Sequence, residues 1–194
     1  MKSLTRNLAL VLGAALLIPI AHAPIAHAQD AAKKPAPKPA DSPSQTLLQS
    51  WNEVGRKLIA MAEDFPEDKY DFKPNPTQRS FAEQLLHAAN GNYYFINPAK
   101  GLDPPKGDPK RADFKSKAEV VAYVKKSFAD GAALIQSKGD SGLNDLWVDP
   151  FANQQARFSD GAWSLIEHSG EHYGQLVVYY RVAGMVPPES RPKK

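Results

Sequence analysis

The stretch LIEHSGEHYGQLVVYYRVAG, residues 165–184, decides the fold because its apolar and aromatic residues recur with the period of an α-helix. One face of this helix carries residues three or four positions apart, namely Leu165, His168, His172, Leu176, Tyr179 and Ala183. Gly184, with two prolines shortly after it, predicts where the helix ends. The pattern indicates a helix that packs one side against a core and carries two histidines on that side.

Three earlier segments predict helices that begin with a capping pair. A serine precedes Gln or Glu by three positions in each: Ser42 with Gln45, Ser80 with Glu83, and Ser116 with Glu119. In the first segment the apolar residues follow a bundle seam: Leu47, Trp51, Val54, Leu58, Met61 and Phe65. The third repeats this spacing through Val121, Val124, Phe128, Ala132 and Ile135.

The second helix is expected to end before Pro98, and the fourth to begin near Ser159 or Asp160. No strand pattern of useful length is visible. The sequence therefore predicts an all-α four-helix bundle over residues 42–188.

Two long connections separate these helices. Residues 101–115, GLDPPKGDPKRADFK, are rich in Pro, Gly and charge, and at about 3.3 Å per residue they can travel the length of a bundle. We therefore expect a long crossover between helices 2 and 3. The connection before the fourth helix holds Trp147, Phe151 and Phe158, which predicts a partial lid folded onto the bundle.

The N-terminus resembles an export signal. Lys2 and Arg6 precede an apolar run, and Ala26-His27-Ala28 offers a cleavage site, so residues 1–28 predict a signal peptide. Residues 29–41, rich in Pro, Lys and Ala, predict a flexible linker, and residues 189–194 a basic C-terminal tail. The expected location is periplasmic or extracellular, without membrane insertion after signal removal.

Composition excludes several kinds of chemistry. The chain has no cysteine, which excludes disulfides, thiolate metal sites and a cysteine nucleophile. It has 24 basic and 21 acidic residues, and loss of the predicted signal removes two basic residues and no acidic one. Since the remaining charge is almost balanced, we expect no nucleic-acid partner.

Three of the five histidines lie outside the predicted signal: His87, His168 and His172. A pair four positions apart on one helix can meet a single ion at about 2.0 to 2.1 Å, although such a pair is also compatible with core packing. His87 lies on the polar stripe of its helix, which suits either the surface or a site between helices. Three imidazoles with an open fourth position form a common catalytic zinc-type ligand set and also suit nickel, iron or copper.

The motifs YDFKPNPTQRSFAEQLLH, residues 70–87, and HSGEHYGQLVVYYRVAGMVPP, residues 168–188, resemble the DinB-like family, the damage-inducible or YfiT-type four-helix bundles. This resemblance implies a divalent metal held by one histidine of the second helix and two of the fourth, here His87, His168 and His172. It also implies a hydrolase or a thiol transferase. Export argues against thiol transfer because low-molecular-weight thiols are expected to be scarce outside the cytoplasm.

Around this site, Glu83 is a candidate for proton transfer, with an exposed, inert carboxylate as its alternative. Asn90 and Tyr94 are candidates for orienting a ligand or the ring of His87. We expect an unknown small molecule as substrate, an ion whose identity among Zn, Ni and Fe the sequence does not distinguish, and a possible homodimer. The alternative is a non-catalytic metal-binding or interaction module of the cell envelope.

Overall fold

The computed structural model describes residues 40–192, which form four long helices and one small hairpin. The helices are α1 (Pro43–Asp64), α2 (Phe81–Ala99), α3 (Lys117–Lys138) and α4 (Phe158–Val182), and the strands are β1 (Leu146–Asp149) and β2 (Gln154–Arg157). The predicted four-helix bundle is confirmed. Within the described residues no helix combines the length and apolar character that a membrane span requires. The predicted signal peptide and nearly all of the linker lie outside them.

The helices follow an unusual order around the bundle. Both α1 and α2 pack against α3 and α4, so α1 and α2 lie diagonally opposite each other. Phe65, just after α1, stacks on Phe81 at the start of α2 with ring centroids 3.8 Å apart. Lys117 at the start of α3 donates to the carbonyl of Phe65 at 2.7 Å. Since α2 and α3 begin at the same end, residues 100–116 run back along the bundle as the predicted crossover.

The helix starts agree closely with the sequence prediction. Ser42 and Ser80 each form a complete capping box with the residue three positions on. Ser116 accepts the Glu119 N–H, whereas the Glu119 carboxylate accepts the N–H of Lys115 at 2.6 Å. The predicted end of the second helix is wrong, because α2 continues through Pro98 to Ala99. Pro98 forgoes the hydrogen bond to the carbonyl of Tyr94, and because the helix ends one residue later no further turn is disturbed.

The core lies between the four helices and is rich in aromatic rings. Trp51 is fully buried, donates its indole N–H to the carbonyl of Phe128 at 2.9 Å, and lies against Gly131 of α3. Tyr180 of α4 donates to the carbonyl of Met61 at 2.9 Å, so its buried hydroxyl is satisfied. The helix most enclosed by its neighbours is α2, with buried residues on nearly every side.

The connection before α4 contains an antiparallel hairpin, so the expectation of no strand is wrong. Trp147 of β1 pairs with Ala156 of β2, and it is the one buried residue among the eight in the two strands. Without an alternating buried face, the segment gives no strand pattern. Trp147 packs edge-on against Phe95 of α2, whereas Phe151 at the turn is 73% exposed. The hairpin thus covers one end of the bundle through a single anchor.

The segment predicted as a basic tail begins with residues that bind α1. Glu189 pairs with Arg56 at 2.7 Å, and Arg191 pairs with Asp64 at 2.5 Å. A short 3₁₀ helix, Pro188–Ser190, presents these side chains. The ordered domain therefore extends beyond residue 188.

Candidate metal centre

Two neighbouring helices bring the three histidines together. His87 extends from α2, and His168 and His172 extend from adjacent turns of α4. Their ring centroids lie 4.3 to 5.5 Å apart, and one ring nitrogen from each lies within 4.8 Å of the others. The three imidazoles therefore converge on one point between the helices.

The ring of His87 is held by the crossover. Its Nδ1 donates to Oδ2 of Asp108 at 2.6 Å, which leaves Nε2 as the nitrogen available to a ligand. Asp108 also accepts from Asn90 of α2 at 3.1 Å. Asn90 is buried and in turn accepts from the hydroxyl of Tyr123 of α3 at 3.1 Å.

The ring of His172 is held by two glutamines. Its Nδ1 lies 3.0 Å from Oε1 of Gln175 and within hydrogen-bond distance of Nε2 of Gln84. Gln84 also donates to Gln175, so the two amides and the imidazole form one closed set. This arrangement directs Nε2 of His172 toward His168, whose own Nε2 is 3.0 Å away.

The ring of His168 fits against the backbone of α2 because position 91 is glycine. A Cβ atom at Gly91 would lie 2.5 Å from Cε1 of His168, closer than carbon atoms can approach. Nδ1 of His168 is buried and has no hydrogen-bond partner in residues 40–192. Packing against Gly91, and not a hydrogen bond at Nδ1, therefore sets the orientation of this ring.

Burial favours the uncharged form of two of the imidazoles, His168 and His172. Burial, together with the nearby charges of His172 and His87, lowers the pKa of His168 to about 4. Burial also lowers the pKa of His172, although its hydrogen bond with Gln175 partly opposes this. Neutral imidazole is the form that binds metal ions, so His168 and His172 are ready to act as ligands at neutral pH.

The donor set fits a divalent ion. Two imidazole nitrogens bound to a tetrahedral ion at 2.0 to 2.1 Å are separated by roughly 3.3 Å, close to the 3.0 Å between Nε2 of His168 and of His172. Ligating histidines typically donate their second N–H to a carboxylate or carbonyl oxygen, as His87 does to Asp108. The chain thus supplies both the ligands and part of their support.

A comparison of sequences places the chain in a family. The sequence profile of the DinB superfamily matches residues 50–176. The chain belongs to the DinB superfamily. The profile spans all three histidines, and among curated proteins none matches this chain.

Solved structures of DinB-like proteins share the fold at low sequence identity. A DinB-like protein from Bacillus cereus ATCC 10987 is 21% identical with a TM-score of 0.60, and the match covers 73% of this chain and 93% of that one. YjoA from Bacillus subtilis is 18% identical with a TM-score of 0.60, covering 76% and 99%. YfiT from the same organism is 16% identical with a TM-score of 0.59, covering 77% and 94%, and is described as a "probable metal-dependent hydrolase with an unusual four-helix bundle topology".

In this DinB-superfamily bundle the other predicted site residues occupy different surroundings. Glu83 accepts the backbone N–H of Ser80 at 2.6 Å and pairs with Lys73 at 3.7 Å, so its carboxylate caps α2. Tyr94 lies two turns from His87, roughly 10 Å along the helix, and stacks on Phe151 of the hairpin. Asn90 reaches His87 through Asp108.

Four residues that contact the histidines of the candidate metal centre or their supports were not predicted from the sequence: Gly91, Asp108, Gln84 and Gln175. Gly91 had a weak signal, since a glycine inside a helix often marks a close approach. Gln175 also had one, three positions after His172 on the same helix. Asp108 lies in a loop with several charged residues, and nothing in the sequence distinguishes it from the others.

Two surface clefts flank the centre of this DinB protein. One has a volume of about 870 Å³ and includes Glu83 and Asp108, and the other, of about 620 Å³, includes Gln84 and Gln175. Arg79 lines both clefts. Both clefts therefore include residues that contact a histidine of the site: Asp108 in the first, and Gln84 and Gln175 in the second.

Proposed function

We propose that this protein is a metal-dependent enzyme of the hydrolase or transferase type, in which His87, His168 and His172 hold one divalent ion that acts on a small molecule. The observation that carries the proposal is the convergence of three imidazoles within 4.8 Å, without a fourth protein ligand in the group among residues 40–192. Three protein ligands and an open position are typical of catalytic sites, whereas four are typical of structural ones.

Two carboxylates next to the site, Asp108 and Glu83, already have other partners. Asp108 accepts from Nδ1 of His87, on the far side of that ring from Nε2. Glu83 accepts from the backbone of Ser80. Their placement supports an open coordination position and argues against a closed structural site.

A divalent ion in this position would act as a Lewis acid toward a substrate oxygen and would lower the pKa of bound water. The surrounding residues support a substrate in other ways. Arg79 lies between the two clefts with its side chain 46% exposed, so its guanidinium can pair with a polar or anionic group. Gln84 and Gln175 hold the ring of His172 in one orientation during the reaction.

Two further observations support the reaction class and the location that we propose. The description of YfiT favours hydrolysis over thiol transfer, and the signal-like N-terminus favours an exported protein in which hydrolysis needs only water as cosubstrate. A non-catalytic metal-binding or interaction module of the cell envelope is the second candidate.

Cobalt substitution distinguishes these candidates. Co²⁺ bound by three imidazoles with an open position should change its visible spectrum when azide is added, since the anion can enter the coordination sphere. His168→Ala should lose the spectrum, whereas Glu83→Gln should keep both the spectrum and its response to azide. A Co²⁺ spectrum that azide leaves unchanged in the wild type would show a closed site and favour the non-catalytic module.

A further inference from the structure

The crossover reaches the metal centre through a single side chain. Asp108 lies in an exposed loop, yet its carboxylate accepts from His87 at 2.6 Å and from Asn90 at 3.1 Å. The guanidinium of Arg79 lies 3.7 Å from Oδ2 of the same carboxylate. A surface aspartate with three partners on one carboxylate is in a defined position.

The anchor beneath Asp108 is buried and shared between helices. Asn90 is 3% exposed, and its amide N–H groups donate to the carbonyl of Gly107 and to Asp108, both at 3.1 Å. Its amide oxygen accepts from Tyr123 of α3. Because breaking such a buried set leaves polar atoms without partners, the loop at residues 107–108 is held firmly against α2.

We propose that Asp108 is a positioning residue for the metal centre, and that docking of the crossover on α2 is coupled to metal binding. By accepting the Nδ1 proton of His87, Asp108 directs the lone pair of Nε2 toward the other two imidazoles. Coupling between two such events is reciprocal, so a bound ion also strengthens docking of the crossover. This inference rests on the three-histidine ion site of the proposed function.

The coupling has a consequence for the larger cleft. Asp108 and its neighbours Pro109, Lys110 and Arg111 form one wall of it, and α2 and the loop before it form the other. Because a bound ion strengthens docking of the crossover, this wall should be more stable in the metal-loaded protein.

Zinc affinity measured against a chromophoric chelator tests the role of Asp108. Asp108→Ala should weaken Zn²⁺ binding about 10- to 100-fold, the usual effect of removing such a support. Asp108→Asn should lose less, because its amide oxygen can still accept from His87. The matched control is Asp103→Ala on the same crossover, where the backbone carbonyl of Asp103 accepts from Asn97. Equal affinity in Asp108→Ala and the wild type would overturn the proposal.

Hydrogen exchange of the full-length wild type, compared with Asp108→Ala, tests the coupling. Zn²⁺ should slow exchange in peptides covering residues 103–115, and Asp108→Ala should abolish that protection. Unchanged exchange in the wild type on saturation with Zn²⁺ would contradict the coupling. If the wild type binds no Zn²⁺, the ion site and this inference both fail; if His168→Ala loses Zn²⁺ while Asp108→Ala retains it, this inference alone fails.

Discussion

At the residue scale, the candidate metal centre depends on the lack of a Cβ atom at position 91. His168 fits between α2 and α4 because Gly91 has no Cβ, and its Nδ1 has no hydrogen-bond partner in the described part of the chain. His87 and His172 are held by polar partners instead. The three ligands are thus oriented by two different physical effects.

Gly91→Ala should weaken Zn²⁺ binding by at least about tenfold, because the new methyl group displaces the ring of His168. Loss of the contacts that orient a metal ligand typically lowers metal affinity by that amount or more. Isothermal titration measures the affinity. The control is Gly174→Ala on α4, where an added Cβ meets nothing within 4 Å. It should keep Zn²⁺ affinity and raise the free energy of unfolding by about 0.5 to 1 kcal/mol. Unaltered Zn²⁺ affinity in Gly91→Ala would show that the His168 ring adjusts freely.

Acid should destabilise the metal-free protein. The pKa of His168 is about 4 in the folded chain and has its ordinary value of 6.5 in the unfolded chain. Between these two pH values the unfolded chain therefore binds more protons than the folded one. Stability from this group is complete above pH 6.5 and is lost as pH falls toward 4. Urea unfolding at pH 7 and pH 5 should show this loss, and His168→Gln should show a smaller one. An identical loss in both proteins would exclude His168 as its source.

At the element scale, α1, α3 and α4 were predictable because each has one apolar face, with a capping serine before α1 and α3 and Gly184 shortly after α4. The surroundings of α2 were not, since this helix is buried on nearly every side and its polar stripe faces the centre instead of water. Periodicity separates buried from exposed faces only when one face meets solvent. For the same reason, His87 was assigned to the candidate site from the family resemblance and not from its spacing along the helix.

The hairpin should depend on one side chain. Trp147 packs on Phe95 and donates to the carbonyl of Arg157 at 3.1 Å, so Trp147→Ala should lower the free energy of unfolding by about 3 to 5 kcal/mol. Phe151 on the same hairpin is exposed and contacts Tyr94 alone among aromatic rings of the described chain. Phe151→Ala should therefore cost less than about 1 kcal/mol. Urea unfolding of both variants checks this, and equal costs would disprove a single anchor.

At the scale of the whole molecule, the crossover topology creates the site. It places α2 beside α4 and returns a loop along α2, so ligands and supports far apart in the sequence meet. Sequence patterns predicted the helices and the crossover, and the family resemblance joined His87 to the histidine pair of α4. Asp108 and Gly91 were not identifiable, because their importance comes from contacts that only the folded chain makes.

A bound ion should stabilise the whole fold, since it joins two helices and binds the native state. At a free Zn²⁺ concentration 100 times the dissociation constant, the gain is about 2.7 kcal/mol. Thermal unfolding should show a higher midpoint with Zn²⁺ in the wild type and no shift in His172→Ala. An equal shift in both would place the zinc elsewhere on the chain.

The most direct test of the account is the metal content of the purified protein, measured by elemental analysis together with calorimetric titration of the apoprotein with Zn²⁺. The account predicts one tightly bound ion per chain in the wild type and in Glu83→Gln, and loss of that ion in His87→Ala, His168→Ala and His172→Ala. The same metal content in the wild type and in all three histidine variants would contradict it.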